Sequence, residues 1–430
     1  MRQALPALAL CALAALPAAV SLGGPAAAAE PLFGLVERGR YLAAAGNCVS
    51  CHTAEHDGEP FAGGRGLETP FGTIYTPNIT FDDETGIGRW SRDDFRRALR
   101  KGERPDGAQL YPAFPYPWFT HMPDADVDAI YAFLSTLPTV RKETPENALP
   151  FPLSVREAVT AWNALYLDEG PLPPAPHRSE AWRRGRYLVE GPGHCGACHS
   201  DKNLAGASAE TLIGTDAPEE HLTGGVLENW LAPEIHAGPG GLLEDWSPQD
   251  VAEFLGTGRN RHASALTRMG EVVVNSTSRL TEADRLAIGT YLASLEGPER
   301  EEEDEDESLD AAAMAAGEAI YADACSACHR ADGSGVDRIF GRLDGSAKLN
   351  ARDPTTVIRI VLEGARSQPT DRHPSPISMP AFDWKLSDRQ VADVLTWLRR
   401  SWGNDAPPVD PETVGDLREK PEDELAAIFG

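Results

Sequence analysis

Apolar residues recur at helical spacing in three separated stretches of this 430-residue chain, Asp126 to Leu137, Thr281 to Leu295 and Ser387 to Trp402. Each predicts an amphipathic helix that closes a structural unit. Asp124, Thr281 and Ser387 stand where a side chain would cap the open amides of such a helix. Upstream of each closing helix lies a shorter helical opening: Arg38-Gly39-Arg40-Tyr41-Leu42, Arg184-Gly185-Arg186-Tyr187-Leu188, and the looser Ala316-Gly317-Glu318-Ala319-Ile320-Tyr321. Aligning the closing helices puts Phe133, Tyr291 and Trp397 at one position. A glycine on the opening helix and an aromatic on the closing one suit two helices that cross closely. Between them, Trp90-Ser91 and Trp246-Ser247 introduce further helices through Lys101 and Leu255, and Pro354 to Leu362 occupies that place the third time. The repeat predicts an all-α chain of three tandem domains with long loops.

Breaks in the pattern set the boundaries: domains at 30–144, 177–298 and 310–404, a proline-rich linker at 145–176, an acidic linker at 299–309 and a charged tail at 405–430. Residues 1–29 read as a Sec signal peptide, with Arg2, an apolar run from Ala4 to Leu22 and Ala26 to Ala29 before Glu30. The mature chain is expected to begin near Glu30, outside the cytoplasm, and contains no apolar run long enough to span a membrane.

The chemistry lies between the opening helices and the loops. Cys-x-x-Cys-His occurs as Cys48-Val-Ser-Cys51-His52, Cys195-Gly-Ala-Cys198-His199 and Cys325-Ser-Ala-Cys328-His329. This spacing is the signature of covalent c-type haem attachment: two thioethers fix the porphyrin edge and the histidine reaches the iron. Six of the seven cysteines are used in this way, and Cys11 falls in the leader. A disulfide redox pair or half a zinc site is the competing reading of a Cys-x-x-Cys, but each motif here carries its own histidine and stands far from the next.

Methionine is scarce, five in all. Apart from Met1 and Met314 there is one per unit, Met122, Met269 and Met379, each downstream of its motif and ahead of the closing helix. A lone methionine is commonly core filler; here each is the candidate distal iron ligand. His121, His262 and His373 are the rival ligands, and bis-histidine ligation would give a lower potential than histidine–methionine. Thr76-Pro77-Asn78 and Ala232-Pro233-Glu234 are expected to supply carbonyls that support the proximal histidine. Ile339 to Leu343 holds that place in the third unit without proline. Trp90 and Trp246 are read as core residues, and Gly63 to Gly66 and Gly238 to Gly241 as loops covering haem.

A net charge of −27 would repel nucleic acid and anionic lipid surfaces. The run Arg300 to Ser308 is read as a solvated spacer, or alternatively as a means of steering a basic redox partner.

The motifs in this order, with Tyr111 through Met122-Pro-Asp-Ala-Asp, Met269 through Thr277, and Met379-Pro-Ala-Phe-Asp-Trp-Lys-Leu-Ser-Asp388 followed by Ser401-Trp402-Gly403-Asn404, resemble the tri-haem cytochrome c subunit of bacterial membrane-bound dehydrogenases. The resemblance implies three class I cytochrome c domains holding three covalently bound haems c. It implies Cys48, Cys51, Cys195, Cys198, Cys325 and Cys328 as attachment points, and His52, Met122, His199, Met269, His329 and Met379 as iron ligands. It further implies a separate catalytic subunit that oxidises an alcohol, aldehyde, sugar or sugar acid with flavin, pyrroloquinoline quinone or molybdenum. Electrons would pass on to ubiquinone or a downstream cytochrome, at the periplasmic face of the inner membrane with peripheral attachment through the complex. Departures from the family are His121 where many members have lysine, the third loop without proline, and a tail without an obvious membrane-binding helix. A free-standing periplasmic electron shuttle is the alternative. A haem enzyme such as a peroxidase would need an open iron position, which a histidine–methionine pair does not leave.

Overall fold

A computed structural model of the chain describes residues 32–208, 221–227, 230–238, 241–297 and 310–419. The expected leader, Cys11 and the acidic run Arg300 to Ser308 lie outside the described residues. In chain order, the first unit comprises α1 (Leu32–Ala45), α2 (Cys48–Cys51), a hairpin of β1 (Gly66–Thr69) and β2 (Gly72–Tyr75), α3 (Arg92–Lys101), α4 (Tyr116–Phe119) and α5 (Asp124–Leu134). The segment that follows contains α6 (Ala158–Tyr166). The second unit has α7 (Glu180–Glu190), α8 (Gly196–His199), a hairpin of β3 (Gly225–Leu227) and β4 (Trp230–Ala232), α9 (Pro248–Thr257), α10 (Thr267–Asn275) and α11 (Glu282–Leu292). The third has α12 (Ala311–Ala324), α13 (Ser326–His329), α14 (Ala347–Asn350), α15 (Thr355–Glu363), the short strands β5 (Ala365–Arg366) and β6 (Ser378–Met379), and α16 (Asp388–Leu398), after which comes α17 (Pro411–Arg418). The described residues are thus mainly helical, and the long loops of the expected all-α fold carry three two-stranded antiparallel sheets among them.

Each unit is built on a crossing of its opening and closing helices, made possible by the glycines noted in the sequence. A Cβ on Gly39 would lie 1.8 Å from the Ala129 carbonyl oxygen and 2.8 Å from Phe133 Cβ. One on Gly185 would lie 2.0 Å from the Ala287 oxygen and 2.9 Å from Tyr291 Cβ, and one on Gly317 2.3 Å from the Asp393 oxygen and 2.6 Å from Trp397 Cβ. The same three aromatics therefore sit over the same three glycines. Around each crossing is a separate core, with Leu42, Val127 and Ile130 in the first, Leu188, Trp246 and Ile288 in the second, and Ile358, Val391 and Leu395 in the third.

The caps follow the sequence in most places. Ser91, Ser247 and Ser387 each form reciprocal capping boxes with Asp94, Asp250 and Gln390, and Thr281 accepts the Asp284 amide. Asp124 is the exception: Pro123 takes the cap position of α5, and Asp124 instead pairs with Arg100 at 2.7 Å.

Two segments read as linker and tail are tied down. Trp162 of α6 packs edge-on to Tyr116 and donates to the Ala205 carbonyl at 3.0 Å, strapping the connection across the first two units. Beyond residue 404, Ala406, Val409 and Val414 are buried, and α17 lies on α16 with Arg418 bonded to Asp388 at 2.6 Å and to the Leu386 carbonyl at 2.8 Å. Isolated valines among charges and prolines give no periodic signal, which is why this stretch reads as a tail.

The repeated Arg-Gly-Arg-Tyr-Leu sequence also joins the first two units reciprocally. Arg38 pairs with Asp126 of its own unit at 2.5 Å, and Tyr187 of the second unit donates to the same carboxylate. Arg184 pairs with Asp284 of its own unit at 2.7 Å, and Tyr41 of the first donates to that carboxylate at 2.5 Å. The units exchange tyrosines across a pseudo-two-fold axis, as two copies would at an isologous interface.

Candidate haem sites

Each Cys-x-x-Cys-His motif folds as a single helical turn directly after the opening helix. The i, i+3 spacing puts both cysteines on one face, with the histidine at the exit. No two of the six motif cysteines are joined in a disulfide. Burial pushes the thiol pKa of Cys48 up to about 12 and those of Cys51 and Cys325 to about 11. Among the described residues no group of three His, Cys, Asp or Glu side chains gathers as a metal site.

The three histidines are oriented alike. His52 Nδ1 lies 2.8 Å from the Pro77 carbonyl oxygen, His199 Nδ1 2.7 Å from that of Pro233, and His329 Nδ1 2.8 Å from that of Gly341. A carbonyl can only accept, so Nδ1 carries the proton and Nε2 keeps its lone pair, the arrangement an iron ligand requires. Burial also lowers the pKa of His52 and His329, favouring the neutral ring. The third loop does this without proline because the bond needs only a main-chain carbonyl, which every residue has.

The structure brings one methionine into the core that receives each motif. Met122, 1% exposed, sits with Cys48 in the first core; Met269 packs with Cys195 on the second; Met379 packs with Cys325 on the third. Their local settings differ. Met122 is on the turn between α4 and α5, its carbonyl held by Arg100 at 2.5 Å. Met269 lies inside α10, and Met379 lies on β6 opposite Ala365. In the third unit a cavity of about 510 Å³ is lined by Cys325, Cys328, His329 and Met379. Its walls include Val357, Val361, Leu395 and Leu398, and Trp246, His262 and Leu266 of the second unit also line it. Paired thiols, a neutral histidine and an apolar slot fit a covalently held haem.

Of the rival histidines, His121 Nδ1 bonds the Gly170 carbonyl at 2.7 Å, His262 stacks on Trp246 with ring centres 5.1 Å apart, and the backbone of His373 pairs with that of Thr370.

One feature of the site is invisible in the sequence. Arg65, read there as part of a glycine-rich loop, is only 7% exposed. It donates to the Ser50 carbonyl at 2.6 Å and to both oxygens of Glu271 at 2.5 and 3.0 Å, and pairs with Glu55 at 3.2 Å. Arg268 completes the group, 3.3 Å from both Glu55 and Glu271. Asn275 also reaches Ser50 Oγ at 2.9 Å. The first attachment turn is therefore docked on α10, the helix that bears Met269. Burial alone would raise the Glu271 pKa, but the bonds and charge of Arg65, with Arg268, more than offset it and hold the carboxyl below its ordinary value. No local pattern could announce this group, because its partners come from two different units.

The cytochrome c family model matches residues 36–138 and 314–402, in the first and third units. Over 387 residues the chain is 39% identical to the gluconate 2-dehydrogenase cytochrome c subunit of Pantoea cypripedii, covering 86% of each chain. It is 38% identical over 387 residues to the cytochrome c subunit of the alcohol dehydrogenase (quinone) of Gluconobacter oxydans, covering 87% of this chain and 80% of that one. To the fructose dehydrogenase cytochrome subunit of Gluconobacter japonicus it is 34% identical over 422 residues, covering 92% and 84%. The chain belongs to the family of cytochrome c subunits of bacterial dehydrogenases. Its cytochrome c domains bind haem covalently and serve electron transfer. Among the described residues no helix is long and apolar enough to cross a membrane.

Proposed function

We propose that this chain is the non-catalytic electron-transfer subunit of a periplasmic dehydrogenase complex, with three class I cytochrome c domains and one covalent haem c at each motif. Electrons would enter from a catalytic subunit that oxidises an alcohol, aldehyde, sugar or sugar acid, and leave to ubiquinone or another respiratory acceptor. The observation that carries this reading is the threefold recurrence of one constellation: a cysteine pair on a helical turn, a histidine fixed by a backbone carbonyl, and a methionine in the same core.

Haem iron supplies one-electron chemistry when bound. The chain's own groups determine how it is used. The carbonyls of Pro77, Pro233 and Gly341 fix the rings of His52, His199 and His329 so that Nε2 would be free to ligate iron, and Met122, Met269 and Met379 would supply the second, sulfur ligand. Iron held by both ligands would suit electron transfer and not peroxide or oxygen chemistry, and a thioether ligand would raise the potential relative to a second histidine. Export through the segment 1–29 and peripheral membrane association through the partner complete the reading.

The first test is the mature chain purified from its host's membranes, stained for covalent haem, weighed intact, and assayed with alcohols, aldehydes and sugar acids. Three haems, a stoichiometric dehydrogenase subunit and haem reduction on substrate addition are expected. Fewer than three covalent haems would refute the three-domain reading, and a lone soluble carrier would refute the complex. Replacing Met122, Met269 or Met379 by leucine should lower one potential in each case and abolish the weak far-red absorption of sulfur-ligated ferric haem at that site.

A further inference from the structure

The cavity of the third unit is lined by a cation that no described residue neutralises. Lys348, on α14, lines this cavity together with Cys325, His329 and Met379. Among the described residues its one polar partner is the Ser264 carbonyl of the second unit, 3.2 Å from Nζ. Glu244 and Asp245 also border the cavity, but both are exposed and neither pairs with the lysine. Burial brings the Lys348 pKa down to about 8, and no charged neighbour acts to restore it. On the other flank of α14, Arg399 is fully buried and bonds only carbonyls, those of Leu349, Ala351, Arg352 and Pro407. It fixes the end of the short helix that carries Lys348. A chain with a net charge of −27 has thus set an ammonium with no carboxylate partner among the described residues against this cavity. Such a group is costly unless an anion completes it.

The anion that belongs in this cavity is part of haem itself, whose edge opposite the thioether side carries two carboxylates. We propose that Lys348 is the counter-ion of a haem propionate at the Cys325–Cys328 site, and that through the Ser264 carbonyl it ties that haem edge to the second unit. Lys348 is a positioning residue: it touches the cofactor's periphery and biases the charge state of the iron, taking no part in ligation. A positive charge at this edge disfavours the ferric form, which carries one more positive charge than the ferrous form. Removing it leaves a bare propionate, which favours the ferric form. Both effects predict that neutralising Lys348 lowers the potential of the third haem.

This inference rests on the reading that Cys325 and Cys328 carry haem, and the two can fail separately. The full mature chain with Lys348→Met and with Lys348→Arg would be stained and weighed for covalent haem, then titrated by spectroelectrochemistry. The third transition is identified by its loss in a Cys325→Ser/Cys328→Ser chain. Expected are three haems in both Lys348 variants, a fall in the third potential alone for methionine, and a near-native value for arginine. If the unsubstituted chain loses no haem on removal of Cys325 and Cys328, the three-haem reading fails. If haem is present and the methionine variant leaves all potentials unmoved, or arginine lowers the third as far as methionine does, the role of Lys348 is refuted. Should Lys348→Met not load haem, Lys348→Gln, neutral but able to donate a hydrogen bond, carries the same comparison.

Discussion

Replacing Gly39 by alanine sets two effects of opposite sign against each other. In the interior of α1, alanine is favoured over glycine by about 1 kcal/mol through helix propensity. Against this, the new methyl would lie 1.8 Å from the Ala129 carbonyl oxygen and 2.4 Å from its carbon. Ordinary carbon–oxygen contacts begin at about 3.3 Å, so α1 and α5 must part by more than about 1 Å. The opposing atoms belong to a helix backbone, which has no rotamer into which to retreat, and the crossing is packed with Leu42, Val127, Ile130 and Phe133. Overpacking of a core costs about 1–3 kcal/mol and occasionally more, and a gap of about 0.5–1 Å forfeits a quarter to a half of each dispersion contact it opens. The upper end of the overpacking range applies, leaving a net loss of about 2 kcal/mol. For a domain the size of the first unit, residues 30–144, each kcal/mol moves the melting temperature by about 4 °C. The first unit of Gly39→Ala should therefore melt about 8 °C early, measured by circular dichroism on the haem-loaded chain. Gly185→Ala and Gly317→Ala should show the same sign in their own units. A Gly39→Ala chain that melts with or above the unsubstituted one would refute the close crossing.

Three further outcomes are expected. Tyr187→Phe removes a hydrogen bond to the buried Asp126 carboxylate, a loss of about 1.5–3 kcal/mol for a bond to a charged group; Tyr41→Phe, which removes the reciprocal bond to Asp284, should loosen the same interface, measured as early protease cleavage between the first two units. Glu271→Gln leaves Arg65 buried without its bidentate partner and should cost about 3–5 kcal/mol, read from denaturant unfolding. Because the folded pKa of Glu271 is depressed, its stabilisation is complete above its ordinary value of 4.5 and is lost as pH falls through the lower folded value; the unsubstituted chain should lose stability in that acid window, and Glu271→Gln should lose less there. Arg399→Leu strips four carbonyls of their donor and should destabilise the third unit by about 3 kcal/mol or more, seen as a separate early melting transition.

The amino-acid sequence by itself determined the chemistry and the repeat. Cys-x-x-Cys-His is a local constellation whose meaning lies in covalent spacing, and helical periodicity, serine caps and the glycine–aromatic pairing depend on neighbours within a turn or on one crossing repeated three times. Gly39 with Phe133 and the Ser387 cap could be read for that reason, whereas Asp124 misled because a proline beside it took the cap. Tertiary structure decided what depends on partners far apart in the chain. The Arg-Gly-Arg-Tyr-Leu tyrosines are local helix residues in sequence and an exchanged interface in space. Arg65 looks like a loop residue until α10 delivers Glu271, and the valines beyond residue 404 are a tail until α16 gives them a surface. The carbonyl of Gly341 does the work of a proline loop because its position, which only the fold sets, is what the histidine needs. Packing likewise decides that Lys348 lines the cavity of the third unit, since which residues surround a group is set by the fold and has no signature in the residues beside it.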